Sequence, residues 1–123
     1  MSDHHHFNYI ELPTTDMAAM KTFYSAVFGW SYVDYGPSYA AITGAGMDGG
    51  FDAAAERKPS DQGVLVVIYS DNPERTAEAV SAAGGEITVP MFSFPGGRRF
   101  HFKDPSGNEL AVWTKEGELN NGA

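Results

Sequence analysis

The stretch RRFHFKDPSGNELAVW, Arg98 to Trp113, holds two runs of alternating character on either side of DPSGN. Phe100 and Phe102 alternate with Arg99, His101 and Lys103, and on a strand such alternation sends the two sets to opposite faces. Asp, Pro, Ser, Gly and Asn together are a turn composition. The stretch therefore reads as two strands joined by a tight turn, with the phenylalanines supplying a core face. Its polar row either meets bulk water or lines a pocket, and the rest of the chain has to decide between them.

Working outward, VLVVIYS (Val64 to Ser70) is a continuous apolar run of strand length, the pattern expected of a strand buried on both faces. Asn72 is placed to cap a helix that has Pro73 at its first position and Gly84-Gly85 at its end. EITVP then gives a strand, followed by a loop around Pro95-Gly96-Gly97 and the hairpin. The first half reads the same way. FNYIELP (Phe7 to Pro13) alternates like a strand, and Asp16 caps a helix in which Met17, Met20, Phe23, Tyr24, Val27 and Phe28 share one face before Gly29. WSYVDYG and SYAAITG are two short strands around Gly36-Pro37, and GAGMDGGF turns into a fourth strand near Phe51. Asp16 precedes Gly29, and Asp71 precedes Gly84, by the same thirteen positions. Strand, helix, three strands thus occurs twice, and each copy is too small to bury a core alone.

A chain of 123 residues with 42% hydrophobic residues fits one domain. It divides into a flexible segment 1–6, a first module 7–57, a linker 58–63, a second module 64–115 and a flexible tail 116–123. Sixteen acidic residues against eight basic ones leave a net charge of −8, which repels nucleic acid and anionic membranes. Without cysteine there is neither a disulfide framework nor a thiolate zinc site. No apolar run approaches the roughly 20 residues that span a bilayer, so a cytoplasmic protein with no membrane partner is expected. His4, His5 and His6 are adjacent on a polar terminus, where such residues bind metal adventitiously. GAGMDGG and PGGRR lack the strand, loop and helix order of nucleotide sites. Ser25, Ser38 and Ser106 have no evident histidine and carboxylate partners.

YIELPTTDMAAMKTFYSAVFGW, SDNPERTAEAVSAAGGEI and FKDPSGNELAVW together resemble the vicinal oxygen chelate superfamily of glyoxalases, bleomycin-resistance proteins and extradiol dioxygenases, in its lactoylglutathione-lyase-related branch. The resemblance runs from Phe7 to about Lys115. It implies an α+β fold of two βαβββ modules, a curved mixed sheet around a concave cup with helices on the convex side. It also implies a divalent ion held by ligands from the first and last strands of each module, acting as a Lewis acid. The matching positions here are Tyr9, Val64 and Ala111, with Asp52 or Glu56 near the fourth. Alkyl groups cannot coordinate a cation, so neither metal nor other cofactor is expected at the usual site.

The resemblance points the residues three and five positions before Asp104, His101 and Arg99, into the cup. Strand parity adds Glu109, Ala111 and Trp113 from the last strand, Tyr9, Glu11 and Pro13 from the first, and Val64, Val66 and Ile68 from the fifth. Arg99 suits an acidic group, His101 suits proton transfer, and Tyr9 and Trp113 offer stacking area. Glu11 needs a partner such as Arg99 or His101, or a function as base. The expected function is binding of a small organic molecule, anionic or aromatic, in a cup without the usual metal ligands. The alternative is a glyoxalase-like lyase, isomerase or dioxygenase with Glu11 and His101 as catalytic groups or with Glu11, His101 and Glu109 as displaced ligands. Exposed sheet edges and the habit of relatives favour a homodimer.

Overall fold

The structure, a computed structural model, describes residues 3–117. Residues 1 and 2 of the expected N-terminal segment and most of the expected tail 116–123 lie outside the described residues. The chain divides after Pro59 into two compact units, and each runs strand, helix, three strands. The fold is α+β, with the βαβββ pattern present twice. No helix among the described residues is long and apolar enough to cross a membrane.

In the first unit, β1 (Tyr9–Pro13) is followed by α1 (Met17–Phe28), β2 (Ser31–Asp34), β3 (Tyr39–Thr43) and β4 (Asp48–Asp52). The sheet order is β1-β4-β3-β2, with β1 parallel to β4 and the other pairs antiparallel. Asp16 starts α1 by accepting from the Ala19 amide at 3.0 Å. Gly29 ends it at φ 76°, a left-handed conformation that costs glycine little. Met20, Phe23 and Tyr24 are buried with Leu12, Ala40, Ile42 and Phe51 of the sheet. Trp30, just past the helix, stacks on Tyr24 with ring centroids 4.8 Å apart.

In the second unit, β5 (Val66–Tyr69), α2 (Pro73–Ala82), β6 (Glu86–Phe94), β7 (Gly97–Lys103) and β8 (Glu109–Lys115) form the sheet β5-β8-β7-β6. Asn72 caps α2 by accepting from the Arg75 amide at 3.1 Å. Phe100, Phe102, Leu110, Val112 and Val80 are fully buried or nearly so. The hairpin turn is built on Asp104. Its Oδ1 accepts from the amides of Ser106, Gly107 and Asn108, and its Oδ2 from the Asn108 side chain.

The fifth strand differs from the expectation of burial on both faces. Val64 lies outside it and is 92% exposed, and Val67 and Tyr69 are exposed while Val66 and Ile68 are half-buried. Its position at the end of the sheet explains why an apolar run reads as continuous yet buries only one row. The strand after α2 is also longer than EITVP. Met91 to Phe94, expected as loop, continues β6 with register shifts between Ile87 and Val89 and between Val89 and Phe92. Pro90 falls within the second shift, where the ladder does not require its missing N–H.

Adjacent Arg98 and Arg99 illustrate the alternation. Arg98 turns to the helix side and grips Glu74 of α2 through Nε and Nη2, at 2.8 and 3.0 Å. That grip holds the Glu74 carboxyl below its ordinary value near 4.5, against the opposing effect of burial. A depressed carboxyl stabilises the fold at pH values above its unfolded pKa and ceases to do so as pH falls through its folded one. Glu74→Gln should therefore cost about 1 kcal/mol at pH 7 and nothing in strong acid. Urea unfolding of both proteins across pH 2 to 7 checks this, and a gap that persists at the acid end would contradict it.

Candidate functional site

Each sheet has one face against its helix and one face turned away from it. Pairing register assigns the residues, because directly paired strand residues point the same way. In the second unit Arg99 pairs with Trp113 and Phe92, His101 with Ala111 and Val89, Val67 with Ala111, and Tyr69 with Trp113. Phe100 pairs with Val112 and Phe102 with Leu110, and this set is the buried one. Arg99, His101, Glu109, Ala111 and Trp113 therefore share the helix-distal face, together with Val67, Tyr69 and Phe92.

Val66 and Ile68 do not. Val66 pairs with Leu110 and Ile68 with Val112, which puts both on the core side. The expected face of this strand rests on matching Asp71 to the cap Asp16, whereas the second helix is capped one residue later by Asn72. A one-residue slip in anchor exchanges the two faces of a strand. Matched cap to cap, the counterpart of Tyr9 is Leu65 rather than Val64.

On this face the guanidinium carbon of Arg99 lies 5.3 Å from the centre of the Phe92 ring and 5.6 Å from that of Phe94. Trp113 meets Tyr69 edge to face at 5.2 Å, and Phe94 approaches Trp113 at 6.5 Å. His101 Nδ1 is 2.9 Å from Glu109 Oε2, with side chains only 12% and 17% exposed. Lys103 farther along the row pairs with Asp61 at 3.2 Å. Two nitrogens are buried without a partner: Arg99 Nε and His101 Nε2. A buried polar atom left unpaired costs about 1–3 kcal/mol, and either nitrogen could be satisfied by water or by a polar group of a bound molecule.

The first unit has its own polar group on the corresponding face. Tyr39 donates to Glu11 Oε2 at 2.8 Å and is hydrogen-bonded through the same oxygen to the Tyr9 hydroxyl. Glu11 thus takes a partner other than the arginine or histidine expected for it. Burial, reinforced by the bonds to Tyr9 and Glu11, pushes the Tyr39 phenol up, so it stays protonated. The arrangement depends on Gly50. A Cβ there would lie 2.1 Å from the Tyr39 oxygen and 2.5 Å from its ring. Glycine inside a strand is the sequence sign of such an approach, and that sign was present in Gly49-Gly50. Tyr39, Phe92, Phe94 and Tyr69 are the functional candidates that sequence reasoning missed. The two phenylalanines fell in an expected loop, and Tyr69 fell to the shifted parity.

With this geometry in view, the chain can be placed among known proteins. Residues 6–112 match the Glyoxalase/Bleomycin resistance protein/Dioxygenase superfamily, and the chain belongs to it. It is 30% identical over 118 residues to CFP32 of Mycobacterium tuberculosis, whose name marks it as a candidate glyoxylase, across 86% of this chain and 44% of that protein. It is 31% identical over 126 residues to the anthracycline biosynthesis protein DnrV of Streptomyces peucetius, across 87% of this chain and 46% of that one. The chain therefore spans less than half the length of these curated relatives. Its backbone matches a glyoxalase/bleomycin resistance protein/dioxygenase family enzyme of Burkholderia phytofirmans with a TM-score of 0.75 at 19% identity, covering 88% of this chain and 97% of that one.

The superfamily resemblance implies a divalent ion, and the positions matched to its ligands are Tyr9, Val64 or Leu65, Ala111, and Asp52 or Glu56. Ala111 is fully buried and offers a methyl group, Leu65 and Val64 are alkyl, and Tyr9 offers a phenol. No group of three or more His, Cys, Asp or Glu side chains that could hold a metal occurs among the described residues.

Gly50→Ala should cost about 1–3 kcal/mol by driving Tyr39 off Glu11. In a Tyr39→Ala background, where the three atoms nearest that Cβ are gone, the same substitution should cost much less. Denaturant titration of the four proteins measures the coupling; equal costs in both backgrounds would contradict the contact.

Proposed function

We propose that the helix-distal face of the second unit binds a small, planar organic anion, and that no metal acts at the usual superfamily position. The observation that carries this reading is Arg99: a guanidinium lying against the neighbouring rings of Phe92 and Phe94, on the strand position paired with Trp113, with its Nε buried and unpartnered. An unpaired cation walled by aromatic rings suits a flat ligand with a carboxylate or similar group. One relative is named for anthracycline biosynthesis, and anthracyclines are planar polycycles of the shape such walls accept. Binding or sequestration would suffice as the function.

Proton transfer is a second reading, and one observation favours it: Glu109 fixes the His101 ring through Nδ1 and leaves Nε2 free. It would show as His101-dependent exchange of a carbon-bound ligand proton with deuterated solvent.

Two measurements test the main reading. By calorimetry with benzoate or 2-naphthoate, Arg99→Ala should weaken binding by about 1–3 kcal/mol while leaving the fold intact, and unchanged affinity would remove Arg99 from the site. Elemental analysis after exposure to zinc, nickel, manganese and iron(II), on protein lacking His4 to His6, should find no stoichiometric ion. A full equivalent of metal would overturn the metal-free reading.

A further inference from the structure

The anion site just proposed, on which this inference rests, does not account for the second buried nitrogen. His101 lies two residues after Arg99 on the same face of β7, one strand repeat of about 6.7 Å away. Its Nδ1 is 2.9 Å from a Glu109 oxygen. A carboxylate accepts hydrogen bonds and does not donate them, so Nδ1 carries a proton, and in the neutral form of the ring Nε2 is then the acceptor. That nitrogen is buried and has no hydrogen-bond partner in the protein. The Phe92 ring lies 6.2 Å from the His101 ring, tilted 40° to it, and 5.3 Å from the Arg99 guanidinium. Phe92 is 37% exposed and borders the register shift of β6, where ladder bonds to β7 are interrupted.

We infer that Arg99 and His101 together read a hydroxyarene carboxylate: Arg99 takes the acid, and His101 Nε2 accepts from the phenolic hydroxyl as Phe92 gives way and packs against the ring. The acid and hydroxyl at opposite ends of a benzene ring are separated by a length comparable to the Arg99 to His101 repeat. Glu109 is the positioning residue. By holding the proton on Nδ1 it selects a ligand that donates at this point over one that cannot.

The test is a cycle of two ligands and three proteins. Calorimetry with benzoate and 4-hydroxybenzoate on the full chain should show the hydroxyl improving affinity roughly tenfold. In His101→Phe, which keeps a ring of similar size, the ratio of the two affinities should fall to about one. Glu109→Gln, whose amide can donate to Nδ1 and reverse the tautomer, should also lose most of the preference. If His101→Phe does not bind benzoate, the Glu109→Gln ratio decides. A hydroxyl that adds nothing in the parent protein overturns the inference, as does a preference that survives both substitutions, and either leaves the anion site standing. Benzoate binding that ignores Arg99→Ala, or no binding of either acid, overturns the anion site and this inference with it.

Discussion

Burial of Phe100 and Phe102 beneath α2 is the constraint on which the second unit depends. Both rings are fully removed from solvent, and a strand has only two faces. Once they face the helix, Arg99, His101 and Lys103 are committed to the opposite side, and pairing carries the same division to Phe92, Ala111 and Trp113. A slip of one residue would bury three basic side chains and expose two phenylalanines. The cost of that exchange is what fixes the register.

Polar contacts then sharpen what the apolar ones set. Asp104 spends both carboxylate oxygens within its own turn, which makes DPSGN a structural staple between β7 and β8 and not part of a site. Arg98 is likewise consumed by Glu74 on the helix side. Arg99 is different: no hydrogen bond or ion pair engages it among the described residues, and its contacts are the faces of two phenylalanine rings. Two neighbouring arginines of identical chemistry thus have different fates, decided by strand parity alone.

The two units repeat a topology but not a chemistry. Where the second unit carries Arg99, His101 and a glutamate hydrogen-bonded to that histidine, the first carries Tyr9, Tyr39 and Glu11 tied together over Gly50. The glycine and the tyrosine are one device: the phenol reaches the carboxylate because the strand beneath it has no side chain in the way.

The sequence by itself determined the α+β class, the twofold occurrence of strand, helix, three strands, both helix starts, and the placement of Arg99 opposite Phe100 and Phe102. These are local or periodic properties: a cap is a contact over three residues, and alternation has a period of two. Only the tertiary structure decided the rest. The face of β5 required its pairing with β8, because a run such as VLVVIYS has no polar alternation to mark one side. The extension of β6 through Phe94, and with it the aromatic wall around Arg99, required β7 as a partner, since Pro90 inside a run reads as a terminus. The partners of Glu11 and His101 were equally unreadable. Tyr39 lies 28 positions from Glu11, and Glu109 competes with several other carboxylates for the histidine. Which acid meets which base is settled by strand register, and register is a property of the assembled sheet.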